Sequence, residues 1–387
     1  MNKINKFIEK LHMKRKLKSP SAVSLYASVI AIIIGLTLGF LLLLFIDAGN
    51  AGYGMGNLLT TAFSSSSYFA KMLYKAAPLL MTGLAVGFAF KTGLFNIGAA
   101  GQYTMGAFWA LYAALIWQMP WWVCIIVAML AGAFWGFIPG LFKAIFNVNE
   151  VITSIMFNWI AVYLANLLLY NFPAMLGTPA NKTEDIISIN PSALLPKLGL
   201  DQLFNSSFIN IGIFIAIFFA ILAYIIMNKT TFGYELKACG FNKNASVYAG
   251  INAKRNIILS MTIAGSFAGI GGAITYLSGT VPLSIQNTLL PMGFNGIPVA
   301  LLASSSPIGV IFSAIFLGFL QVGGEAMQPE FSSEVVNIIL AVIIYFSAFA
   351  LLMRIAISKY LSRKKNKKNE LDETAEAPVD IKKEVDE

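Results

Sequence analysis

Long uncharged apolar stretches separated by short polar segments make up most of the chain. The first, residues 22–46, contains 25 residues without a charge, and a helix needs about 20 apolar residues to cross the hydrocarbon layer. Because a secretory signal has a shorter apolar core of about 7–15 residues, we interpret this stretch as a retained anchor. The pattern predicts nine further spans, at 78–90, 96–117, 121–142, 151–172, 208–227, 257–278, 293–303, 308–327 and 335–353. We therefore expect an all-α polytopic membrane protein of about ten transmembrane helices.

Two of these spans, 78–90 and 293–303, are much shorter than the length that a straight helix needs to cross a bilayer. Outside the membrane, residues 58–74 have the pattern of an amphipathic helix, and residues 173–207, with four prolines, form the longest external loop. Glycines recur every fourth residue within several spans, which is typical of closely packed membrane helices.

A Phe-Asn pair beside glycines adjoins each short span. The first pair lies within residues 93–102 and the second within residues 293–298, about 200 residues apart. The predicted topology has the chain entering them from opposite sides, as in two inverted halves with interrupted helices, and such matched interruptions are typical of a transport pathway. Unwound backbone at membrane depth also requires protein or water around it. The alternative is an ordinary glycine-rich turn at the boundary of a span.

The longest cytoplasmic loop, residues 228–256, contains two helical patterns. One ends at Gly240, and the second covers residues 244–250 with Gly250 as its terminator. Two short helices on this face suit docking to a soluble partner. The alternative is a polar loop with helical turns and no partner.

Composition and charge agree with this topology. Of the 387 residues, 57% are hydrophobic and 12% charged, and the mean hydropathy is +0.73, which excludes a soluble enzyme. With both termini in the cytoplasm, 23 of the 27 basic residues lie inside, as the positive-inside rule requires. The net charge of +9 therefore reflects topology rather than nucleic-acid binding. We divide the chain into a basic arm (1–21), a membrane domain (22–353) and a charged tail (354–387) predicted to be disordered.

The sequence offers no catalytic or metal-binding constellation. It has one histidine, His12, and no P-loop motif, so it holds no site for ATP hydrolysis. No series of intramembrane acids resembles a proton relay. We expect no cofactor, no metal and no enzymatic activity, and we expect the energy for active transport to come from another subunit.

Three separated stretches resemble one known family. Residues 93–102, 147–158 and 233–250 are similar to the membrane permeases of bacterial ABC importers for ribose, simple sugars and branched-chain amino acids, and most similar to the nucleoside-uptake branch. The resemblance covers about residues 75–350. The family usually has an acidic residue where Ala100 stands, so the chain departs from the family pattern at this position.

The resemblance implies a multi-pass permease in the bacterial cell membrane, paired with a second permease chain, ABC ATPase subunits and an extracellular substrate-binding lipoprotein that captures nucleosides. It implies a substrate path that includes Phe95, Asn96, Gln102, Asn158, Phe294 and Asn295. It also implies an ATPase-coupling region with Glu235, Lys237, Gly240, Asn242, Asn244, Ala245, Ala249 and Gly250. For the intramembrane amides, helix–helix hydrogen bonding is the alternative role.

Two alternatives to a nucleoside importer remain at this point. A simple-sugar permease of the same family differs only in the specificity of its binding lipoprotein. A secondary transporter or channel that works alone would need no ATPase subunits.

Overall fold

The computed structural model describes residues 20–178, 180–349 and 355, and the regular secondary elements in this part of the chain are all helices. The α-helices of the first half are, in chain order, α1 Pro20–Ile46, α2 Ala51–Ser64, α3 Ser66–Lys91, α4 Ala99–Leu115, α5 Trp121–Phe146 and α6 Glu150–Asn171. Two short helices follow, α7 Ile186–Ile189 and α8 Leu200–Leu203. The remaining helices are α9 Gly212–Lys229, α10 Thr231–Phe241, α11 Lys243–Tyr248, α12 Ala253–Tyr276, α13 Pro291–Leu302, α14 Pro307–Glu325 and α15 Ser333–Ala348. Single 3₁₀ turns occur at Pro173–Met175 and Pro191–Ala193. Nearly all of the predicted arm and of the predicted tail lie outside the described residues; residues 20 and 21 of the arm belong to α1.

Each of the ten predicted spans overlaps a helix in the described residues, so the all-α membrane architecture is confirmed. Seven helices in the described part of the chain are long and apolar enough to cross a membrane: α1, α3, α5, α6, α9, α12 and α14. The helices α4, α13 and α15 are shorter, with 17, 12 and 16 residues. At 1.5 Å per residue, α13 extends only about 18 Å, well under the ~30 Å hydrocarbon layer. The inverted relation of the two halves stays a prediction.

Two predictions about the region before residue 91 are wrong. The span at 78–90 is not short, because it is the second half of the 26-residue helix α3. The amphipathic helix at 58–74 does not exist as one element, since the chain is extended at Ser65, whose hydroxyl caps α3 by accepting a hydrogen bond from the Tyr68 N–H. Lys71 and Lys75 interrupt the apolar pattern of α3, but both pair with Glu325 at the end of α14, at 2.8 and 2.5 Å.

The helices α3, α4 and α12 form the buried centre of the bundle, while α1, α5, α6 and α9 lie around it. Helices α5 and α12 pack with their backbones in contact. A Cβ added at Gly132 would lie 2.3 Å from the Gly265 carbonyl oxygen, and one added at Gly136 would lie 2.4 Å from the carbonyl oxygen of Met261. The glycines at every fourth residue therefore lie where two helices cross closely, as the sequence predicts.

Two polar layers cover the ends of the bundle. At the predicted cytoplasmic end, α10 and α11 form a helical hairpin between α9 and α12. At the predicted external end, residues 172–178 and 180–211 pack against residues 277–290. The isolated bridge Lys182↔Ser284 connects the backbones of the two segments, and the bridge Leu176↔Thr183 lies within the first segment.

Candidate translocation path and coupling region

Three of the predicted path residues form a buried amide cluster at the break between α3 and α4. Asn96, Gln102 and Asn158 are at most 1% exposed. Asn96 and Gln102 form a reciprocal pair, because each amide nitrogen donates to the other's oxygen, at 2.9 and 3.0 Å. The Asn158 oxygen accepts from the Gly101 N–H at 2.7 Å, and its amide nitrogen donates to the Ile97 carbonyl at 3.0 Å.

The hydrogen bonds of Asn158 stabilise the start of α4 and the segment before it. The first N–H groups of a helix lack intrahelical partners, and Gly101 lies in the first turn of α4. Asn158, on the neighbouring helix α6, supplies the acceptor that α4 lacks. The cluster thus ties the nonhelical segment 92–98 to α4 and α6. A role of these amides in contacting substrate stays a prediction.

The second Phe-Asn segment meets the first at this cluster. Gly293, in the first turn of α13, packs against Ala100 so closely that a Cβ would lie 2.3 Å from the Ala100 Cα. Ala100 itself is fully buried. A carboxylate at this position would enter a tight helix contact, which is consistent with the small residue found here. The structure therefore brings together two segments that are about 200 residues apart in the sequence.

The remaining predicted path residues are only partly buried. Phe95 stacks on Phe90 with ring centroids 5.1 Å apart and an interplanar angle of 3°. Phe294 and Asn295 lie on α13 and are half-buried. These three residues keep surface that a substrate could contact.

The predicted coupling region is the helical hairpin of α10 and α11. Helix α10 continues one residue beyond Gly240, to Phe241, so Gly240 is not a terminator as predicted. The Asn242 side chain caps α11 by accepting from the Ala245 N–H at 3.0 Å. Gly250 terminates α11 as predicted: its φ is +82°, and the Gly250 and Ile251 N–H groups close the helix on the Val247 and Ser246 carbonyls.

Gly240 packs instead against the end of α3. A Cβ at Gly240 would lie 2.6 Å from the Lys91 carbonyl oxygen and 2.9 Å from the Gly93 nitrogen. Gly93 has a φ of +74° and forms the turn that leads into the amide cluster. The hairpin therefore contacts the α3–α4 break through backbone atoms, without a side chain between them.

Polar contacts attach the hairpin and the neighbouring turn after α3 to α12 and α9. Asn256 is 1% exposed and donates to the Glu235 carboxylate at 3.1 Å. Thr92, next to the turn, hydrogen-bonds Ser260 of α12. Lys237 donates to Asn228 at 3.4 Å, at the end of α9. Glu235 and Lys237 thus hold the hairpin within this chain.

The outward side of the hairpin is aromatic. Phe241 and Tyr248 are 92% and 94% exposed, and Tyr234 is 70% exposed. The predicted residues Asn244, Ala245, Ala249 and Gly250 are exposed on the same hairpin. Exposed large aromatic residues in a polar loop are typical of a contact surface. The sequence already contains this signal, but the prediction of coupling residues missed Phe241 and Tyr248.

No group of three or more His, Cys, Asp or Glu side chains suited to a metal ion occurs among the described residues. The two cysteines, Cys124 and Cys239, are both buried and form no disulfide.

The comparisons with known proteins agree on a transport family. A family model described as "Branched-chain amino acid transport system / permease component" matches residues 68–348. The guanosine ABC transporter permease protein NupP of Bacillus subtilis is 38% identical over 341 residues, 87% of this chain and 96% of NupP. The nucleoside ABC transporter permease protein NupB of Lactococcus lactis subsp. cremoris is 35% identical, over 86% of this chain and 92% of NupB. The glucose ABC transporter permease protein TsgB13 of Haloferax volcanii is 30% identical, over 75% of this chain and 78% of TsgB13. No solved structure matches.

Proposed function

The chain belongs to the branched-chain amino acid transport system / permease component family, and from this premise we propose that it is the membrane-spanning permease subunit of an ATP-driven importer for nucleosides. The observation that carries the proposal is the similarity to NupP and NupB, which extends over 86–87% of this chain. The chain itself supplies the membrane path. Separate ATPase subunits hydrolyse ATP, and an external lipoprotein delivers the nucleoside.

The helical hairpin is the docking surface for an ATPase subunit. Phe241 and Tyr248 project from it almost fully exposed, and such aromatic anchors carry much of the binding energy in protein interfaces. The 23 basic residues that the topology assigns to the same side support a cytoplasmic location of the hairpin and of both termini.

The hairpin is also placed to transmit motion. Because Gly240 touches the Lys91–Gly93 turn directly, a push on the hairpin moves the end of α3 and the nonhelical segment 92–98. The amide cluster connects this segment to α4 and α6, and α13 packs on α4 at Ala100. The path thereby responds to closure of the ATPase subunits.

A second permease chain completes the path. Helix α6 contributes Asn158 to the cluster, yet its other side carries exposed Trp159, Tyr163 and Tyr170. Trp and Tyr normally concentrate at membrane interfaces, whereas Trp159 and Tyr163 lie near the middle of this 22-residue helix. Aromatic side chains with polar tips at this depth suit a protein partner or an aqueous path better than lipid.

Uptake measurements test the proposal. The chain, its ATPase, its second permease chain and its lipoprotein are expressed in cells that lack nucleoside importers, and uptake of radiolabelled guanosine, uridine and glucose is compared. We expect ATP-dependent uptake of a nucleoside that unlabelled glucose does not reduce. Uptake of glucose without nucleoside would establish the sugar-permease alternative. Uptake by the chain alone in liposomes would establish the stand-alone transporter.

A further inference from the structure

A polar cavity of about 280 Å³ opens on the predicted external side of the bundle. Its walls come from residues 177, 178 and 182–186, from Tyr276 at the end of α12 and residues 279–282 after it, and from Leu111 of α4. The Thr183 N–H donates to the Leu283 carbonyl at 2.9 Å, and the Leu283 N–H donates to the Thr183 hydroxyl at 3.0 Å. Backbone hydrogen bonds therefore fix the two walls against each other. The volume is close to the lower limit of typical small-ligand pockets, about 300 Å³.

One side chain in this cavity has an unused polar group. Tyr276 lines the cavity and is 6% exposed, yet its hydroxyl hydrogen-bonds no other described residue. Two neighbouring tyrosine hydroxyls are satisfied: Tyr103 donates to Thr275 at 2.7 Å, and Tyr74 bonds Thr280 at 2.5 Å. Because Tyr276 lines the cavity and its hydroxyl bonds no described side chain or backbone group, that hydroxyl is available to a molecule in the cavity.

The cavity also presents charges of both signs. Lys182 and Glu184 line it, and neither forms an ion pair with another residue in the described part of the chain. The exposed carboxylate of Asp185 lies beside them. This set offers donors and acceptors to a neutral polar ligand. It disfavours a phosphate, because two carboxylates would face the phosphate's negative charge.

We propose that this cavity binds the ribose of a nucleoside on the external face of the permease, an inference that rests on the proposed function. The vicinal ribose hydroxyls donate to the Glu184 carboxylate, as hydroxyls do in charge-assisted hydrogen bonds. The Tyr276 hydroxyl bonds a further oxygen of the sugar, and Lys182 donates to an acceptor of the base at the cavity mouth. Free ribose carries the same diol, but it lacks the base.

Protection of an introduced cysteine tests this site. Val281 lines the cavity and is 43% exposed, whereas the two native cysteines are buried. The variant Val281→Cys, in the complete transporter in intact cells, is labelled with a membrane-impermeant maleimide. Guanosine at ten times its dissociation constant should slow labelling about tenfold, because only about one site in eleven is then free. The control Leu198→Cys, 73% exposed on the same external layer but outside the cavity, should label at an unchanged rate.

Second substitutions test the named contacts. In the Val281→Cys background, Tyr276→Phe and Glu184→Gln should each raise the half-protecting guanosine concentration about tenfold, the effect of losing one good hydrogen bond. Tyr276→Phe removes only the hydroxyl, so the packing of the ring is kept. Guanosine monophosphate and leucine should not protect at the same concentrations, and free ribose should protect only at higher ones.

Four outcomes would overturn the inference: no protection by guanosine, equal protection of Leu198→Cys, no effect of Tyr276→Phe, or ribose as effective as guanosine. Uptake measured in the same cells separates the two proposals. Nucleoside uptake without protection would refute the cavity and leave the proposed function intact. Protection without nucleoside uptake would refute the proposed function and leave the cavity as a nucleoside site.

Discussion

The contact of the helical hairpin with the α3–α4 break predicts a variant that uncouples ATP hydrolysis from transport. In Gly240→Ala the new Cβ would lie 2.6 Å from the Lys91 carbonyl oxygen, whereas an ordinary contact begins at 3.4 Å. The hairpin and the turn must therefore separate by about 0.8 Å, the difference between these two distances. Overpacking of this kind costs about 1–3 kcal/mol. That cost corresponds to an approximately 5- to 150-fold smaller population of the close-packed arrangement.

The assay is the ratio of nucleoside taken up to ATP hydrolysed by the complete transporter in proteoliposomes. We expect the ratio to fall at least about fivefold, the lower end of this range. ATPase co-purification should remain normal, because Gly240 faces the turn and the aromatic side chains face outward. Gly56→Ala is the matched control. Gly56 lies within α2, and an added Cβ has no neighbouring atom within 4 Å.

Two results would refute this reasoning. If Gly240→Ala keeps the wild-type ratio, the backbone contact does not transmit motion. If it instead loses the ATPase subunits, Gly240 contributes to docking, and the separation of docking from transmission is wrong.

Three further predictions concern the docking surface, the amide cluster and the external ion pairs. The double variant Phe241→Ser/Tyr248→Ser should reduce ATPase co-purification at least tenfold, since hot-spot aromatic residues typically contribute about 2 kcal/mol or more each to the binding free energy. The temperature of thermal unfolding of the isolated chain should stay unchanged. Asn158→Ala should lower the unfolding free energy by about 1–3 kcal/mol, because the Gly101 N–H and the Ile97 carbonyl lose their partner; equal melting temperatures would contradict this. Glu325→Gln leaves the ammonium groups of Lys71 and Lys75 without their carboxylate partner. The melting temperature should therefore fall by a few degrees at low salt and by less at high salt. A fall that does not depend on salt would argue against an electrostatic cause.

The positions of the membrane helices could be predicted from the sequence because hydropathy is a local property. The exception is α3, whose first half carries Lys71 and Lys75. Their charges are compensated by Glu325, 250 residues after Lys75 in the chain. A hydropathy pattern within a window of about 20 residues cannot include such a partner, so the pattern predicts a span shorter than α3.

The hairpin could be predicted for a similarly local reason, and its most important contact could not. The residues that cap and terminate α11, Asn242 and Gly250, act on their own helix. Gly240 has the same residue type as Gly250 but a different reason to be glycine, since it makes room for the backbone of residues 91–93. Only the tertiary structure distinguishes a terminating glycine from a packing glycine.

The division of hydrogen bonds within the bundle indicates where substrate selection occurs. Each amide of the buried cluster already has a hydrogen-bond partner within the chain. A nucleoside that bound there would have to replace an existing hydrogen bond and would gain little binding free energy. The Tyr276 hydroxyl on the external side has no such partner among the described residues, and a ligand would satisfy it without breaking any bond. We therefore expect the amide cluster to fix the geometry of the nonhelical segment 92–98 between α3 and α4, while the external cavity recognises the ribose. Substitution at Asn158 should then change the stability and rate of the transporter, and substitution at Tyr276 its apparent affinity.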